Sequence, residues 1–252
     1  MPRYDMSKIS TARRARDCWW VVLVADPIAA RIVWFLANFT PVHPLIVTGV
    51  SLLLYATSAT LFALFVVYAV VKPWALYVAA ICYLLAFVLD CVDGELARLT
   101  KKTTVIGRYL DRIGGFFGET AVLAAFTCAA LEYWPVIPTV IFGVVYWAGM
   151  AVEVSTWFHS RNITPEAPDI SWRFNNRALQ AVDDWLRKRR LGSHPSAVEG
   201  GVLAFGVSPF FHMHPAFLGV GAFLVWIDQF RFIAKRFIRT GKGKEVREGE
   251  SL

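Results

Sequence analysis

The chain has 252 residues, of which 56% are hydrophobic and only 18% are charged. Because a soluble domain usually carries about 25% charged residues, this composition argues against a water-facing globular fold and favours a membrane protein. The formal net charge is +7. In a membrane protein, basic residues report topology and contact with anionic headgroups, so we expect membrane lipid, and no nucleic acid, as a partner.

Residues 1–40 precede the first long apolar run. Their second half, residues 18–39, mixes aromatic side chains such as Trp19 with the charged Asp26 and Arg31. This mixture is typical of an amphipathic helix at the membrane interface rather than of a crossing helix. We therefore expect a cytoplasmic N-terminal region that carries an interfacial helix.

Four apolar runs are each long enough to cross a membrane, since a crossing helix needs about 20 mostly apolar residues. In chain order they are Pro44 to Val71, Pro73 to Leu89, Ile113 to Leu131 and Tyr133 to Val152. The turns at Lys72 and at Glu132 are short, so the helices that they join should be antiparallel.

The remaining apolar stretch is residues 200–227, and charge decides how it is divided. The loop 159–196 and the tail 236–252 are rich in Lys and Arg, so the positive-inside rule places both in the cytoplasm. An even number of crossings must then lie between them, and Ser208–Pro215 supplies the turn signal. The sequence therefore predicts an all-α, polytopic membrane protein with six transmembrane helices in residues 41–235 and both termini cytoplasmic. A helix is also expected in the loop, near residues 176–190.

Four carboxylates lie in or at the ends of the second and third predicted spans: Asp90, Asp93, Asp111 and Glu119. Ionised groups at this depth are costly and are usually functional. Asp90 and Asp93 share a helix face, and Asp111 and Glu119 lie two turns apart on another. Oxygen ligands without His or Cys suit Mg²⁺, Mn²⁺ or Ca²⁺.

Small and basic residues surround these acids. The small residues are Gly94, Ala97 and Gly107. The arginines are Arg98, Arg108 and Arg112. A divalent cation beside fixed positive charges is what a substrate with phosphates requires. Two alternatives stay open: the arginines and acids form ordinary interfacial salt bridges while the glycines serve helix packing, or the acids bind the coupling ion of a transporter.

The order of these residues resembles the signature of the CDP-alcohol phosphotransferase family, D-x2-D-G-x2-A-R-x8-G-x3-D-x3-D. The chain reads DCVDGELAR from Asp90 to Arg98 and, after eight further residues, GRYLD from Gly107 to Asp111. Every fixed position matches except the last, which falls on Gly115. The resemblance implies a transferase that moves a substituted phosphoryl group from a CDP-linked donor to an alcohol, with release of CMP.

The resemblance also implies roles for particular residues. Asp90, Asp93 and Asp111 would hold one or two Mg²⁺ or Mn²⁺ ions. The nucleotide would be bound by a set of five residues, namely Asp90, Gly94, Ala97, Arg98 and Gly107. Arg108 and Arg112 are expected to bind the phosphate or the acceptor. In many members the donor is CDP-diacylglycerol and the acceptor is an alcohol or an alcohol phosphate, which implies a place in phospholipid biosynthesis. A homodimer in a bacterial-type inner membrane, with a cytoplasmic active site, is the arrangement that the resemblance suggests.

Gly115 replaces the acid that the family uses as a metal ligand and as the base for the acceptor hydroxyl. Three interpretations are open. Glu119, one helical turn further on the same face, takes over as a catalytic residue together with Asp111. Alternatively, the sequence carries a substitution at this position that cripples the enzyme. In the third interpretation the protein has given up transfer, and binds a CDP-lipid or serves assembly.

Overall fold

Helices account for nearly all of residues 4–67, 74–163, 177–192 and 196–249, which are the residues that the computed structural model describes. Within these ranges the chain forms no β-strand, so the all-α prediction is confirmed. The helices are α1 (Met6–Thr11), α2 (Asp26–Phe39), α3 (Pro44–Val67), α4 (Trp74–Leu99), α5 (Val105–Ala130), α6 (Val136–Ile163), α7 (Arg177–Lys188), α8 (Ala197–Gly201) and α9 (Pro215–Gly249).

Among the residues that the structure describes, five helices are long and apolar enough to cross a membrane. Four of them, α3 to α6, match the first four predicted spans, so the chain is a polytopic membrane protein. The predicted turn at Lys72 and much of the predicted loop 159–196 lie outside the described residues. The helix predicted in that loop is α7. The predicted tail 236–252 continues the helix α9 as far as Gly249.

The fifth apolar helix is Val21–Phe39, which begins with a π-helical turn and continues as α2. Length and composition alone would allow this helix to cross a membrane, whereas its residue pattern predicts an interfacial position. Its buried residues share two apolar clusters with Phe87, Val88, Val92 and Leu96. All four belong to the second half of α4, so this packing favours the interfacial position.

The apolar stretch after α7 forms the predicted hairpin. Its first arm, Ala197–Phe211, is apolar but shorter than the five long helices, and it ends in a 3₁₀ turn, Ser208–Phe211. His212 and Met213 then adopt left-handed φ values of 54° and 55°. The chain reverses there, and α9 begins at Pro215. The turn therefore lies where Ser208–Pro215 predicts it.

Aromatic side chains fill the centre of the helix bundle. Phe62 of α3 and Phe126 of α5 pack edge to face with ring centroids 5.4 Å apart. Tyr83 of α4 packs in the same way on Phe205, at 5.2 Å. Outward-facing positions are also apolar, and Ile106 and Ile137 are more than 70% exposed. A protein with apolar side chains on both its inner and its outer surface suits a lipid environment.

The two arms of the hairpin touch at the backbone. A Cβ added to Gly200 of α8 would lie 2.9 Å from the Cα and 3.0 Å from the carbonyl oxygen of Gly221 in α9. Backbone atoms cannot turn away as a flexible side chain can. Glycine is therefore required here by the close approach of two helices.

We expect Gly200→Ala to lower the free energy of unfolding by about 1–3 kcal/mol, because the added methyl group overpacks this contact. The matched control is Gly49→Ala in α3, where an added Cβ would meet no atom within 4 Å. The control should change stability by no more than about 1 kcal/mol. Thermal unfolding of the purified proteins in detergent measures both changes, and equal midpoints would contradict the prediction.

Candidate metal centre

The turn between α4 and α5 brings the two halves of the signature together. The sequence predicts spans that end at Leu89 and begin at Ile113, but α4 continues to Leu99 and α5 begins at Val105. The helices extend because residues 90–98 lack proline and include good helix formers. Thr104 caps α5, since its hydroxyl oxygen accepts a hydrogen bond of 2.9 Å from the backbone N–H of Gly107.

Three of the four predicted acids form one cluster. Asp90, Asp93 and Asp111 each place a carboxylate oxygen within 4.8 Å of the others. Asp93 is buried, with 4% of its surface exposed, and Asp90 and Asp111 are half-buried. Since a divalent ion binds carboxylate oxygens at about 2.0–2.6 Å, one ion can bridge oxygens at these separations. The cluster could therefore hold a metal, and its all-oxygen donor set fits the hard cations Mg²⁺ and Mn²⁺.

Helix α3 supplies a polar contact to this cluster. The hydroxyl of Thr48 donates a hydrogen bond of 2.5 Å to Oδ2 of Asp93. One turn further, the hydroxyl of Ser51 donates to the carbonyl oxygen of Ala86 at 2.8 Å. These bonds fix α3 against α4 and orient the Asp93 carboxylate. The sequence alone does not point to Thr48, because a single threonine in an apolar run carries no signal of its own.

Arg98 folds back over the glycine of the signature. Its Nη1 lies 3.2 Å from the position that a Cβ on Gly94 would occupy. Its Nε donates a hydrogen bond of 2.6 Å to the carbonyl oxygen of Ala12, just after α1. The N-terminal segment thus holds this guanidinium group in place. Ala97, on the same stretch of α4, is partly exposed.

The other two predicted basic residues behave differently from each other. Arg108 is exposed at the start of α5. Arg112 forms an ion pair with Glu153 of α6, with Nη2 and Oε1 2.5 Å apart, and about one third of each side chain is exposed. The structure therefore joins Arg112 to α6, through a partner that the sequence did not assign to it.

The structure leaves open space at Gly115 and gives Glu119 a hydrogen-bond partner in the bundle. A Cβ on Gly115 would meet no atom within 4 Å. Glu119 accepts a hydrogen bond of 3.2 Å from the hydroxyl of Tyr83, a residue that is buried in the bundle. Glu119 is not one of the three clustered carboxylates. Position 115 therefore faces open space, whereas the Glu119 carboxylate, one helical turn further on, already has a hydrogen-bond partner in the bundle.

A family model described as CDP-alcohol phosphatidyltransferase matches residues 42–172, which contain all of α3 to α6 and the three clustered acids. The chain belongs to the CDP-alcohol phosphatidyltransferase family. A comparison with curated proteins found no match. The resemblance inferred from the signature is confirmed, and membership of the family supports the activity of a CDP-alcohol transferase.

In this member of the CDP-alcohol phosphatidyltransferase family, the signature segment also receives contacts from outside the signature. These contacts come from Thr48, from Glu153 and from the backbone of Ala12, and they reach Asp93, Arg112 and Arg98, which all lie within the signature segment. None of the three contacts follows from local spacing, since the partners lie far apart in the chain. Only the signature half of the site was accessible to sequence reasoning.

Proposed function

We propose that the protein transfers a substituted phosphoryl group from a CDP-linked lipid, with CDP-diacylglycerol as the donor, to an alcohol or alcohol phosphate. The observation that carries this proposal is the cluster of Asp90, Asp93 and Asp111, whose carboxylate oxygens lie within 4.8 Å of one another. Acidic side chains repel a diphosphate. They can bind one only through a divalent cation, which carries the positive charge that the phosphates require.

In the proposed mechanism Asp90, Asp93 and Asp111 hold one or two Mg²⁺ or Mn²⁺ ions. When bound, these ions supply positive charge to the diphosphate and to the leaving group. Thr48 orients Asp93 through its 2.5 Å hydrogen bond. The buried position of Asp93 keeps water from competing for this carboxylate.

The nucleotide end of the donor lies along α4 and the start of α5 in this proposal. Gly94, Ala97 and Gly107 leave space for the cytidine, and Asp90 and Arg98 bind it. Because the Ala12 carbonyl oxygen already holds Arg98 Nε, the two Nη groups are the donors that remain for the nucleotide. The N-terminal segment therefore orients the guanidinium before the donor arrives.

The transfer step forms a bond between the acceptor oxygen and the β-phosphorus of the donor. The bond from that phosphorus to the oxygen of CMP breaks, and CMP leaves with the electron pair. The proton of the acceptor hydroxyl passes to a carboxylate, for which Asp111 and Glu119 are the candidates. The open space at Gly115 allows the acceptor, or a water molecule, to lie between the metal cluster and Glu119.

Arg108 and Arg112 favour an acceptor that carries negative charge. Arg108 is exposed, and Arg112 is paired with Glu153 at 2.5 Å. An anionic group that binds Arg112 must compete with Glu153 for it. We propose that an alcohol phosphate can displace Glu153 from Arg112, because its phosphate forms charge-assisted hydrogen bonds with the guanidinium. A neutral alcohol cannot do so.

We further propose the arrangement of the whole chain. Residues 1–40 form the N-terminal region, 41–235 form a six-helix catalytic domain with the loop 159–196, and 236–252 form the tail. Both termini and the active site face the cytoplasm of a bacterial-type inner membrane, where the protein works in phospholipid biosynthesis as a homodimer.

The alternative function is a silent family member that binds a CDP-lipid or serves assembly. It is favoured by Gly115 and by the hydrogen bond that holds Glu119 to Tyr83. The deciding experiment measures CMP release by the purified protein with Mn²⁺ or Mg²⁺, CDP-diacylglycerol and a panel of alcohols and alcohol phosphates. Acceptor-dependent release supports the enzyme, and binding of CDP-diacylglycerol without release of CMP would support the alternative.

Arg98→Ala should raise the KM for the CDP-linked donor by about 10- to 100-fold, because charge-assisted hydrogen bonds of about 1.5–3 kcal/mol are lost. The KM for the acceptor should stay unchanged. Lys102→Ala is the control, since Lys102 is an exposed cation four residues further on, in the connection between α4 and α5. Equal donor KM values for the two variants would show that Arg98 does not bind the nucleotide.

A further inference from the structure

Helix α7 has one face that the protein buries and one that it leaves exposed. Asp183 and Leu186 are buried, whereas Val182 and Trp185 are 55% and 51% exposed. Ala181 is exposed as well. The spacing of residues 181, 182 and 185 places them side by side on the helix. The proposed transferase mechanism uses none of these residues.

The buried face of α7 is bound to the segment that precedes the apolar helix Val21–Phe39. Arg16 Nη2 lies 2.6 Å from Oδ1 of Asp183, and Arg16 Nε donates a hydrogen bond of 2.8 Å to the carbonyl oxygen of Leu191. The hydrogen bond from Arg16 holds the pKa of Asp183 below its usual value. The pair is therefore charged at neutral pH and ties α7 firmly to the N-terminal segment.

Backbone contacts continue this attachment beyond the end of α7. The N–H of Asp17 donates to the carbonyl oxygen of Arg190 at 2.9 Å, and the N–H of Gly192 donates to the carbonyl oxygen of Asp17 at 2.8 Å. Trp19 Nε1 donates to the carbonyl oxygen of Gly192 at 2.7 Å. Because Asp17 and Trp19 directly precede Val21, the C-terminal end of α7 lies where the chain meets its first apolar helix.

The chemistry of the exposed face fits a lipid headgroup layer. The Arg189 guanidinium carbon lies 4.0 Å from the centre of the Trp185 ring. Further exposed cations on the helix are Arg177 and Lys188. Tryptophan is enriched at the boundary between apolar chains and water, and Lys and Arg near that boundary attract anionic lipids.

We infer that α7 lies on the membrane surface, with Val182 and Trp185 in the headgroup layer and its cations on anionic phospholipid. The occupant is the bilayer in which the protein sits, because α7 is attached beside an apolar helix and because its exposed face combines tryptophan with positive charge. This membrane contact does not depend on whether the protein catalyses transfer.

The test places an environment-sensitive fluorophore on single cysteines in the full chain. The four native cysteines, Cys18, Cys82, Cys91 and Cys128, are first replaced by serine. The dye is attached in Val182→Cys, in Trp185→Cys and, as a control, in Asp184→Cys. Asp184 is exposed on the same helix and lies roughly 100° from Trp185 and roughly 160° from Val182 around its axis.

Each labelled protein is placed in nanodiscs of phosphatidylcholine, with or without phosphatidylglycerol. We expect dyes at 182 and 185 to shift to shorter wavelength and to lose quenching by iodide when phosphatidylglycerol is present. The dye at 184 should stay quenched in both lipids. Charge reversal by Lys188→Glu and Arg189→Glu should remove the dependence on phosphatidylglycerol.

Two results would overturn the inference. In the first, iodide quenches all three positions equally in both lipids, which means that the face meets water. In the second, protection at 182 and 185 appears only in nanodiscs that hold two copies of the protein, which means that a second copy covers the face. The fluorescence measurement does not require CMP release, so failure of this inference can be distinguished from failure of the proposed transfer activity.

Discussion

Asp93→Asn should reduce acceptor-dependent CMP release by about a thousandfold. The reason is the loss of a carboxylate charge from the cluster of Asp90, Asp93 and Asp111. Positive charge from a divalent ion is worth several kcal/mol of transition-state stabilisation, and about 1.4 kcal/mol corresponds to a tenfold change in rate. Folding should survive, because the asparagine carbonyl can still accept the hydrogen bond that Thr48 donates to Asp93.

A second readout separates metal binding from catalysis. Mn²⁺ at about 100 times its dissociation constant should stabilise the native protein by about 2.7 kcal/mol. We expect this thermal stabilisation to be lost in Asp93→Asn. Glu132→Gln is the matched control, since Glu132 is an exposed acid at the end of α5, and it should leave both readouts unchanged. Full stabilisation by Mn²⁺ in Asp93→Asn would rule out this carboxylate as a ligand.

Glu119→Gln should lower the rate of CMP release by about 10²- to 10⁴-fold, the usual contribution of a general base. Glutamine keeps an oxygen that accepts the hydrogen bond from Tyr83, so the change removes the base and not the packing. Adding Gly115→Asp should then restore activity, because a side chain at 115 enters open space and returns an acid to the position that the signature provides.

Tyr83→Phe is the control for this pair of variants, because it removes the hydrogen bond but leaves the Glu119 carboxylate. It should retain most of the native rate. If Glu119→Gln is fully active, Glu119 serves only as the partner of Tyr83 and the proton passes to Asp111. If the native protein is silent and Gly115→Asp alone is active, the scaffold is intact and position 115 is the defect.

The sequence predicted the acidic cluster because its members are arranged by local rules. Asp90 and Asp93 share a face at a spacing of three residues, and a short turn returns the chain to place Asp111 opposite them. The turn within Ser208–Pro215 was also predicted, since prolines at 209 and 215 mark it, but its left-handed backbone at His212 was not. In both places neighbouring residues determine the geometry.

Contacts between segments that lie far apart in the chain could not be predicted from neighbouring residues. Thr48 and Asp93 are 45 residues apart, Arg112 and Glu153 are 41 apart, and Arg98 and Ala12 are 86 apart. Each pair depends on how whole helices pack, and helix packing is set by side-chain shape along entire faces. The predicted spans end at Leu89 and begin at Ile113, whereas the helices end at Leu99 and begin at Val105. Hydropathy marks where a span leaves the apolar layer, and a helix can continue beyond that point.

The gap beside Gly115 has a consequence for selective inhibition. In the proposed mechanism the acceptor lies beside Gly115, so a substrate analogue with an added methyl group at the acceptor end would enter the open space there. A transferase that has the aspartate of the signature at this position would exclude the same analogue by steric clash and by desolvation of its carboxylate. We therefore expect the native protein to bind a compound that its own Gly115→Asp variant rejects.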